Sequence, residues 1–361
     1  MPNIKLMPIS GCPFGREVTG WSGASAGNLL DALHQNGMLL FRDVSDISSQ
    51  ALAERLQMWF PQLNIEPPRS NRPACGGPMT VLGSTRDSDG QFNADYVPAA
   101  TTGAALRSVD GRWDAPLEQS LTSWIRQKQE CTFMEWHTDA MFIPRPTAYA
   151  ALYCKQPGNS HTGFASATQG LAHLDGDMRE LADKAVCIYR PSIIYGNAVL
   201  GIPAIGSRSV QLAAMETEFT TEQNGTLESP AHPDDPVVYH RLVQTHPHTG
   251  ERSLRFSLKS LETIIPDVQK IEEKRDPTEG KRAAWQIMRR ATAGDLAYLH
   301  EWRKGDLIIW DQRLTMHSRV PYDAEREIRE MWRVVFGKDQ ADEDINEKTP
   351  QLNLRLVANP R

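Results

Sequence analysis

Apolar positions recur at helical spacing twice near the start of the chain, and then the pattern changes. Leu29, Leu30 and Leu33 share one face of Ala26 to Gln35, and Leu52, Leu56 and Trp59 share one face of Ser48 to Phe60. Both windows predict amphipathic helices, and Asp46 or Ser48 supplies a capping oxygen ahead of the second. Between them, Met38 to Arg42 predicts a strand. After Pro146 the chain becomes a series of short β-rich runs separated by Gly, Pro, Asn and Asp. Strands are expected at Tyr149 to Cys154, Val186 to Tyr189, Tyr239 to Thr245, Ser253 to Ser257, Asp306 to Asp311 and Met331 to Phe336. One further helix is expected at about Gly280 to Arg290. No Gly-rich turn opens a helix after a strand, and no period repeats. The pattern predicts a mainly β fold with flanking helices, a jelly roll rather than a doubly wound parallel sheet.

Three stretches stand apart from this pattern. Residues 84–134 are polar and rich in Gly, Asp and Ala, with one expected helix near Leu117 to Lys128. A long insertion just ahead of a chemically loaded segment reads as a lid, with a passive insertion or an oligomer contact as the alternatives. Gly206 to Asp235 reads as a second excursion over the barrel mouth. The charged run Lys338 to Lys348 reads as a solvated loop. With these included, residues 1–361 are taken as one jelly-roll domain.

Composition narrows the function. The chain has 361 residues, 40% hydrophobic and 23% charged, and a net charge of -6 without a run of Lys or Arg. That balance offers no electrostatic footprint for nucleic acid or an anionic membrane, so a small-molecule partner is expected. No apolar stretch reaches the roughly 18 to 20 residues of a membrane span. Five scattered cysteines give neither a disulfide framework nor a metal knuckle, and the first ten residues lack a signal-peptide pattern, which together predict a cytoplasmic protein.

The chemistry concentrates in two places. Trp136-His137-Thr138-Asp139 puts an imidazole and a carboxylate two residues apart, on one face of an extended backbone at a Cα spacing of about 7 Å. Asp306 to Ser318 (DLIIWDQRLTMHS) offers His317 as a third ligand. Two histidines and one carboxylate on one face of an octahedron leave three positions open, the arrangement by which non-haem Fe(II) enzymes bind oxygen and a co-substrate. Arg329 and Arg333 follow His317 within a strand-like segment, where period two puts Arg329, Met331 and Arg333 on one face and Ile328, Trp332 and Val334 on the other. Inward guanidinium groups require anions; the alternative is surface pairing with Glu325, Glu327 or Glu330. The pair His246 and His248 in THPHTG reads as a hairpin turn, His161 as a loop residue, His34 as a helix-end residue near Gly37, and Cys154 as core.

Several segments together resemble one family. WHTD at 136–139, HPHTGERSL at 246–254, WRKGDLIIWDQRLTMHS at 302–318 and REMWR at 329–333 are similar to the Fe(II)/2-oxoglutarate oxygenases of the taurine dioxygenase and 2,4-D dioxygenase family. The similarity begins at GMLLFRD (37–43) and is interrupted mainly by 84–134. It implies a double-stranded β-helix, with His137, Asp139 and His317 as Fe(II) ligands and O2 and 2-oxoglutarate as co-substrates. It implies that Arg329 clamps the distal carboxylate of 2-oxoglutarate, where Lys could not copy the bidentate geometry. Thr162 would bond the same co-substrate from the family's GGxT turn, in which Asn159 and Ser160 replace the two glycines here.

The resemblance also bears on outcome and substrate. Related halogenases carry a small residue at the carboxylate position; Asp139 therefore favours hydroxylation, with desaturation or ring formation open on the same iron. Arg333 matches the position that grips taurine's sulfonate, so an anionic substrate group is expected. The family's sulfonate-binding His and its neighbouring Tyr are replaced by Glu66 and Arg69, and a carboxylate facing a sulfonate is repulsive. Glu66, Arg69 and Arg333 instead suit a substrate with both amine and carboxylate, unless Glu66 and Arg69 pair with each other. Two other classes stay open: a non-catalytic metal-binding jelly roll, and a Zn(II) hydrolase with no use for Arg329.

Overall fold

The computed structural model describes residues 4–21, 26–44, 47–61, 63–65, 79–82, 136–158, 160–189, 237–258, 261–267, 277–319, 328–339, 342 and 345. Its largest element is a seven-stranded sheet. From edge to edge it runs β1 (Lys5–Met7), β2 (Arg16–Thr19), β3 (Met38–Phe41), β13 (Leu307–Asp311), β5 (Thr147–Gln156), β15 (Glu330–Lys338) and β4 (Thr80–Leu82). Among the described residues three smaller sheets complete the β structure: β12 (Ala297–Glu301), β6 (His161–Ser166) and β14 (Thr315–Arg319); β11 (Leu261–Ile265), β7 (Val186–Tyr189) and β8 (Val238–Arg241); and the hairpin of β9 (Val243–Thr245) with β10 (Arg252–Leu254). Helices α1 (Ala26–Asn36) and α2 (Ser49–Trp59) match the predicted pair, and Ser48 caps α2 by accepting the Ala51 N–H at 3.1 Å. A third helix, Pro277–Ala291, is where the sequence places it.

The central strands are buried on both faces, which is why they read as unbroken apolar runs rather than alternating ones. Leu39 and Phe41 of β3, Leu307 and Ile309 of β13, and Trp332, Val334 and Phe336 of β15 pack with Leu29 and Leu33 of α1 and Leu52, Leu56 and Trp59 of α2. The alternate residues Met38, Leu40, Leu152, Ile308, Trp310 and Met331 turn the other way and meet Phe164, Tyr298 and Trp302 from the second sheet. The period-two assignment holds within β15, where Met331 and Arg333 face inward and Trp332 and Val334 face the helices; Ile328 and Arg329 precede the strand.

Several expectations need correcting. His161 and Thr162 are not on a loop or turn but open β6, paired on one side with β12 and on the other with β14. The predicted strand Tyr239 to Thr245 is two strands, broken at the buried Leu242, and Ser253 to Ser257 shortens to Arg252–Leu254. Lys338 to Lys348 is not simply solvated, because Asp339, Asp342 and Ile345 are buried. Asp339 pairs with the wholly buried Arg255, and Asp342 meets His240, Arg241 and Gln244. A guanidinium taken fully out of water needs such an anion. The helix at 117–128 and the stretches 84–134 and 206–235 lie outside the described residues. Among the described residues no helix is long and apolar enough to cross a membrane.

Candidate metal centre and active site

His137 and His317 sit directly opposite each other on neighbouring extended segments. They exchange both backbone hydrogen bonds, His137 N–H to His317 O at 2.9 Å and His317 N–H to His137 O at 3.0 Å, and their ring centroids are 4.1 Å apart. His317 lies within β14 and pairs with Phe164 of β6, and its ring leans on Trp310 at 5.0 Å. Since paired residues on adjacent strands point to the same face, His317 faces the interior between the two sheets. On its other side, His137 pairs with Ser257, and Thr138 N–H donates to Phe256 O at 3.0 Å.

Asp139 follows on the same edge and completes a cluster. Its Oδ1 is 3.7 Å from His137 Nε2 and its Oδ2 is 3.7 Å from His317 Nε2. These separations exceed a hydrogen bond, yet two atoms each about 2.1 Å from a shared divalent ion can stand up to about 4.2 Å apart. The three side chains offer ligand atoms all within 4.8 Å of one another. The donor set therefore fits a first-row divalent metal.

The turn that aims Asp139 has two supports. Gln312, buried just after β13, accepts the Asp139 N–H on Oε1 at 2.9 Å, while its Nε2 donates to Thr147 O at 3.2 Å and Thr147 Oγ1 at 2.6 Å. Those acceptors fix which way the amide faces. Ala140 then takes a left-handed backbone conformation, φ 60°, which side-chain-bearing residues rarely adopt. Arg333 approaches from β15, with Nη2 2.7 Å from Asp139 Oδ2 and 30% of its side chain exposed.

Arg329 and Thr162 lie on the same interior. Arg329 is 5% exposed, and its Nε donates to Ser160 Oγ at 2.8 Å. Thr162, two residues before Phe164 on β6, accepts the Trp302 Nε1–H on Oγ1 at 2.9 Å. An indole N–H only donates, so this bond leaves the threonine's own hydroxyl proton unused. Cys154, beside Arg329 on β5, is a core thiol pushed up to about 12 by burial, against the opposing pull of the Arg329 charge, and so stays inert.

A second cluster, His34, His246 and Asp311, is as compact as the first but is already satisfied. Arg313 donates to both oxygens of Asp311, at 2.8 and 2.6 Å, and His246 Nε2 meets Oδ2 at 3.0 Å. His246 Nδ1 accepts the Thr249 N–H at 3.1 Å, which seats the expected hairpin turn on a buried carboxylate. Burial raises the Asp311 pKa, but the Arg313 charge and these hydrogen bonds overcome it and hold the group well below the usual carboxylate range. Arg313 Nη2 also donates to Tyr149 OH at 2.6 Å, and the same hydroxyl is hydrogen-bonded to His34 Nε2 at 2.7 Å. The cation of this cluster is a guanidinium.

The structure thus brings His137, Asp139, His317 and Arg333 together and sets Thr162 on the same inner face. Glu66 and Arg69 lie outside the described residues. Ser160, Trp302 and Gln312 were not singled out by sequence as site residues. Two carried a signal: Ser160 as a departure from the GGxT turn, and Gln312 as an amide between an apolar strand and His317.

The family model for the Taurine catabolism dioxygenase TauD, TfdA family matches residues 10–335. The chain belongs to this family. It is 26% identical over 213 residues to an (S)-phenoxypropionate/alpha-ketoglutarate-dioxygenase of Sphingobium herbicidovorans, covering 58% of this chain and 64% of that one. It is 26% identical over 195 residues to pentalenolactone F synthase of Streptomyces avermitilis, covering 53% of this chain and 57% of that one. The chain thus spans under two thirds of the length of these curated relatives. In fold it resembles AAD-2, solved in complex with Mn(II) and N-oxalylglycine, with a TM-score of 0.56 at 20% identity over 92% of this chain and 96% of that one.

Proposed function

We propose that this protein is an Fe(II)- and 2-oxoglutarate-dependent oxygenase that hydroxylates an unactivated C–H bond of a small or medium-sized anionic or amino-acid-like substrate other than taurine. The observation that carries the reading is the compact His137, Asp139 and His317 cluster, pinned by paired backbone hydrogen bonds and sharing an interior with Arg333. Family membership over residues 10–335 and the named activity of the first relative support it. Fe(II) bound with 2-oxoglutarate and O2 supplies oxidative decarboxylation to succinate and CO2, coupled to insertion of the second oxygen atom into a substrate C–H bond. A double-stranded β-helix, formed by residues 1–361 as one domain, is the architecture we propose for it, supported by the pairing of β14 with β6 and with the His137 segment.

The chain's own residues divide the work. His137, Asp139 and His317 hold Fe(II) on one side and leave the remaining positions to small molecules. Arg329 and Thr162 hold the distal carboxylate of 2-oxoglutarate. Arg333, with one edge on Asp139 and part of its side chain exposed, receives an anionic substrate group; the carboxylate named in (S)-phenoxypropionate supports this chemistry. Glu66 and Arg69 belong to the proposed substrate end on sequence grounds. Because Asp139 occupies the carboxylate position, hydroxylation leads, with desaturation or ring closure as a second outcome at the same centre.

The test is Fe(II)-dependent conversion of 2-oxoglutarate to succinate by the purified protein. His137→Ala, Asp139→Ala and His317→Ala should each abolish it while circular dichroism stays unchanged. Turnover near wild type in any one of the three would remove the ligand assignment.

A further inference from the structure

We infer that His246 is a positioning residue for the metal centre, the point at which the hairpin of β9 and β10 fixes the turn between the two sets of proposed ligands. The inference rests on the oxygenase reading above and deepens it. The hairpin segment, HPHTGERSL at 246–254, shares the family resemblance but supplies none of the proposed metal or co-substrate residues.

His246 is 1% exposed, and its two ring nitrogens have distinct roles. A backbone N–H can only donate, so the Thr249 N–H at 3.1 Å makes Nδ1 the acceptor. Nε2 then carries the ring proton and gives it to Asp311 Oδ2 at 3.0 Å. An ionised carboxylate offers about four acceptor sites, and donors to Asp311 fill them. Oδ1 takes the Arg313 backbone N–H at 2.9 Å and its Nε–H at 2.8 Å, while Oδ2 takes Arg313 Nη2 at 2.6 Å beside His246. Arg313 belongs to the same turn as Asp311. His246 is the donor that reaches this carboxylate from another element.

The hairpin grips that turn a second time. Ser253, on the opposite arm, donates its hydroxyl proton to Arg313 O at 2.6 Å. Between the two clamped residues stands Gln312, whose amide accepts the Asp139 N–H at 2.9 Å, and the chain then runs into β14 and His317. Beyond β10 the same stretch of chain reaches the other ligands: Phe256 O accepts the Thr138 N–H at 3.0 Å, and Ser257 pairs with His137. Residues 246–257 therefore touch the chain on both sides of the metal cluster. His137 and His317 also bond each other directly, but Asp139 lies past that pairing and takes its backbone hydrogen bond from Gln312. His246 is outside the metal cluster; its effect passes through Asp311 and the turn.

The experiment titrates the full-length protein with Mn(II) alone by calorimetry and records the melting temperature separately. Two substitutions divide the imidazole's roles. His246→Asn puts a carbonyl oxygen near the place of Nδ1 and keeps an acceptor for Thr249, but cannot reach Asp311. His246→Gln puts an amide N–H near the place of Nε2 and keeps the donor to Asp311. Asparagine should weaken Mn(II) binding about tenfold, the lower end of what an outer partner contributes, and glutamine should restore it. His246→Asn combined with Gln312→Leu should cost less than the product of the separate losses, because both act through one turn. A purely structural role would lower both melting temperatures and leave Mn(II) affinity at the wild-type value. That result, equal losses in the two variants, or losses that multiply would overturn the inference and leave the oxygenase reading in place. If His246→Asn does not fold, Ser253→Ala carries the test: weaker Mn(II) binding by the folded protein supports the clamp, and unchanged binding overturns it. Failure of the wild type to bind Mn(II), or wild-type affinity in His137→Ala, would overturn the metal assignment itself and this inference with it.

Discussion

Replacing Gln312 with leucine should separate the building of the metal site from the stability of the fold. The amide makes three hydrogen bonds, a partly buried one from the Asp139 N–H and two buried ones to Thr147. Leucine fills a similar volume but leaves a partly buried N–H and two buried acceptors without this partner. At about 1–3 kcal/mol for each group so stranded, less what the apolar side chain regains by packing, the variant should lose about 3 kcal/mol of stability. The metal effect is separate. Asp139 would no longer be anchored at its own nitrogen, and loss of an outer partner that orients a ligand costs roughly 10- to 100-fold in metal affinity. The assay is Mn(II) titration followed by calorimetric melting of the metal-free protein, with His137→Ala as the variant that removes a ligand outright. Wild-type Mn(II) affinity in a Gln312→Leu protein that melts early would refute the reasoning, and would mean that the Thr138–Phe256 bond and the Ala140 turn hold Asp139 by themselves.

Other expectations follow from neighbouring parts of the structure. Arg329→Lys keeps the charge and loses the fork, so the KM for 2-oxoglutarate should rise about tenfold or more; an unchanged KM would pass the role to another residue. Gly158→Ala forces a methyl into the Ile328 carbonyl at a positive φ, and should both lower the melting temperature and weaken N-oxalylglycine binding. Wild-type behaviour in both measurements would refute the packing argument. Burial, only partly offset by the Asp311 charge, lowers the His34 pKa to about 4. The unfolded chain then binds more protons than the folded one between about pH 6.5 and 4, so stability should fall as pH drops through that window, by up to about 3 kcal/mol, and His34 should contribute no further change below it. Denaturation midpoints measured against pH for wild type and His34→Phe should converge toward acid; parallel curves would count against it.

The candidate metal cluster was legible because its motifs are local: HTD is a tripeptide, and DLIIWDQRLTMHS joins a strand too apolar to misread to the histidine beyond it. The doubly buried strands β3 and β13 were legible for the same reason. Strand β6 was not, since HTGFAS is buried throughout yet has Phe164 as its one large apolar side chain and otherwise resembles a polar turn. The charged segment after Lys338 misled because its acids are there for Arg255, His240 and Arg241, which only tertiary structure brings to them. Ser160 and Gln312 escaped notice as site residues on the same ground: each acts on a residue more than a hundred positions away in sequence.

The face-to-face placement of His137 and His317 also sets when the centre can exist during synthesis. A ribosome adds roughly 5–20 residues each second, and the strand bearing His317 is made long after the segment bearing His137. Until that strand leaves the ribosome and pairs, the nascent chain holds an imidazole and a carboxylate but no three-sided cage. On the proposed assignment the growing polypeptide would present only a two-ligand fragment to surrounding cations, and the complete donor set would exist only once the late strand had closed against the early one.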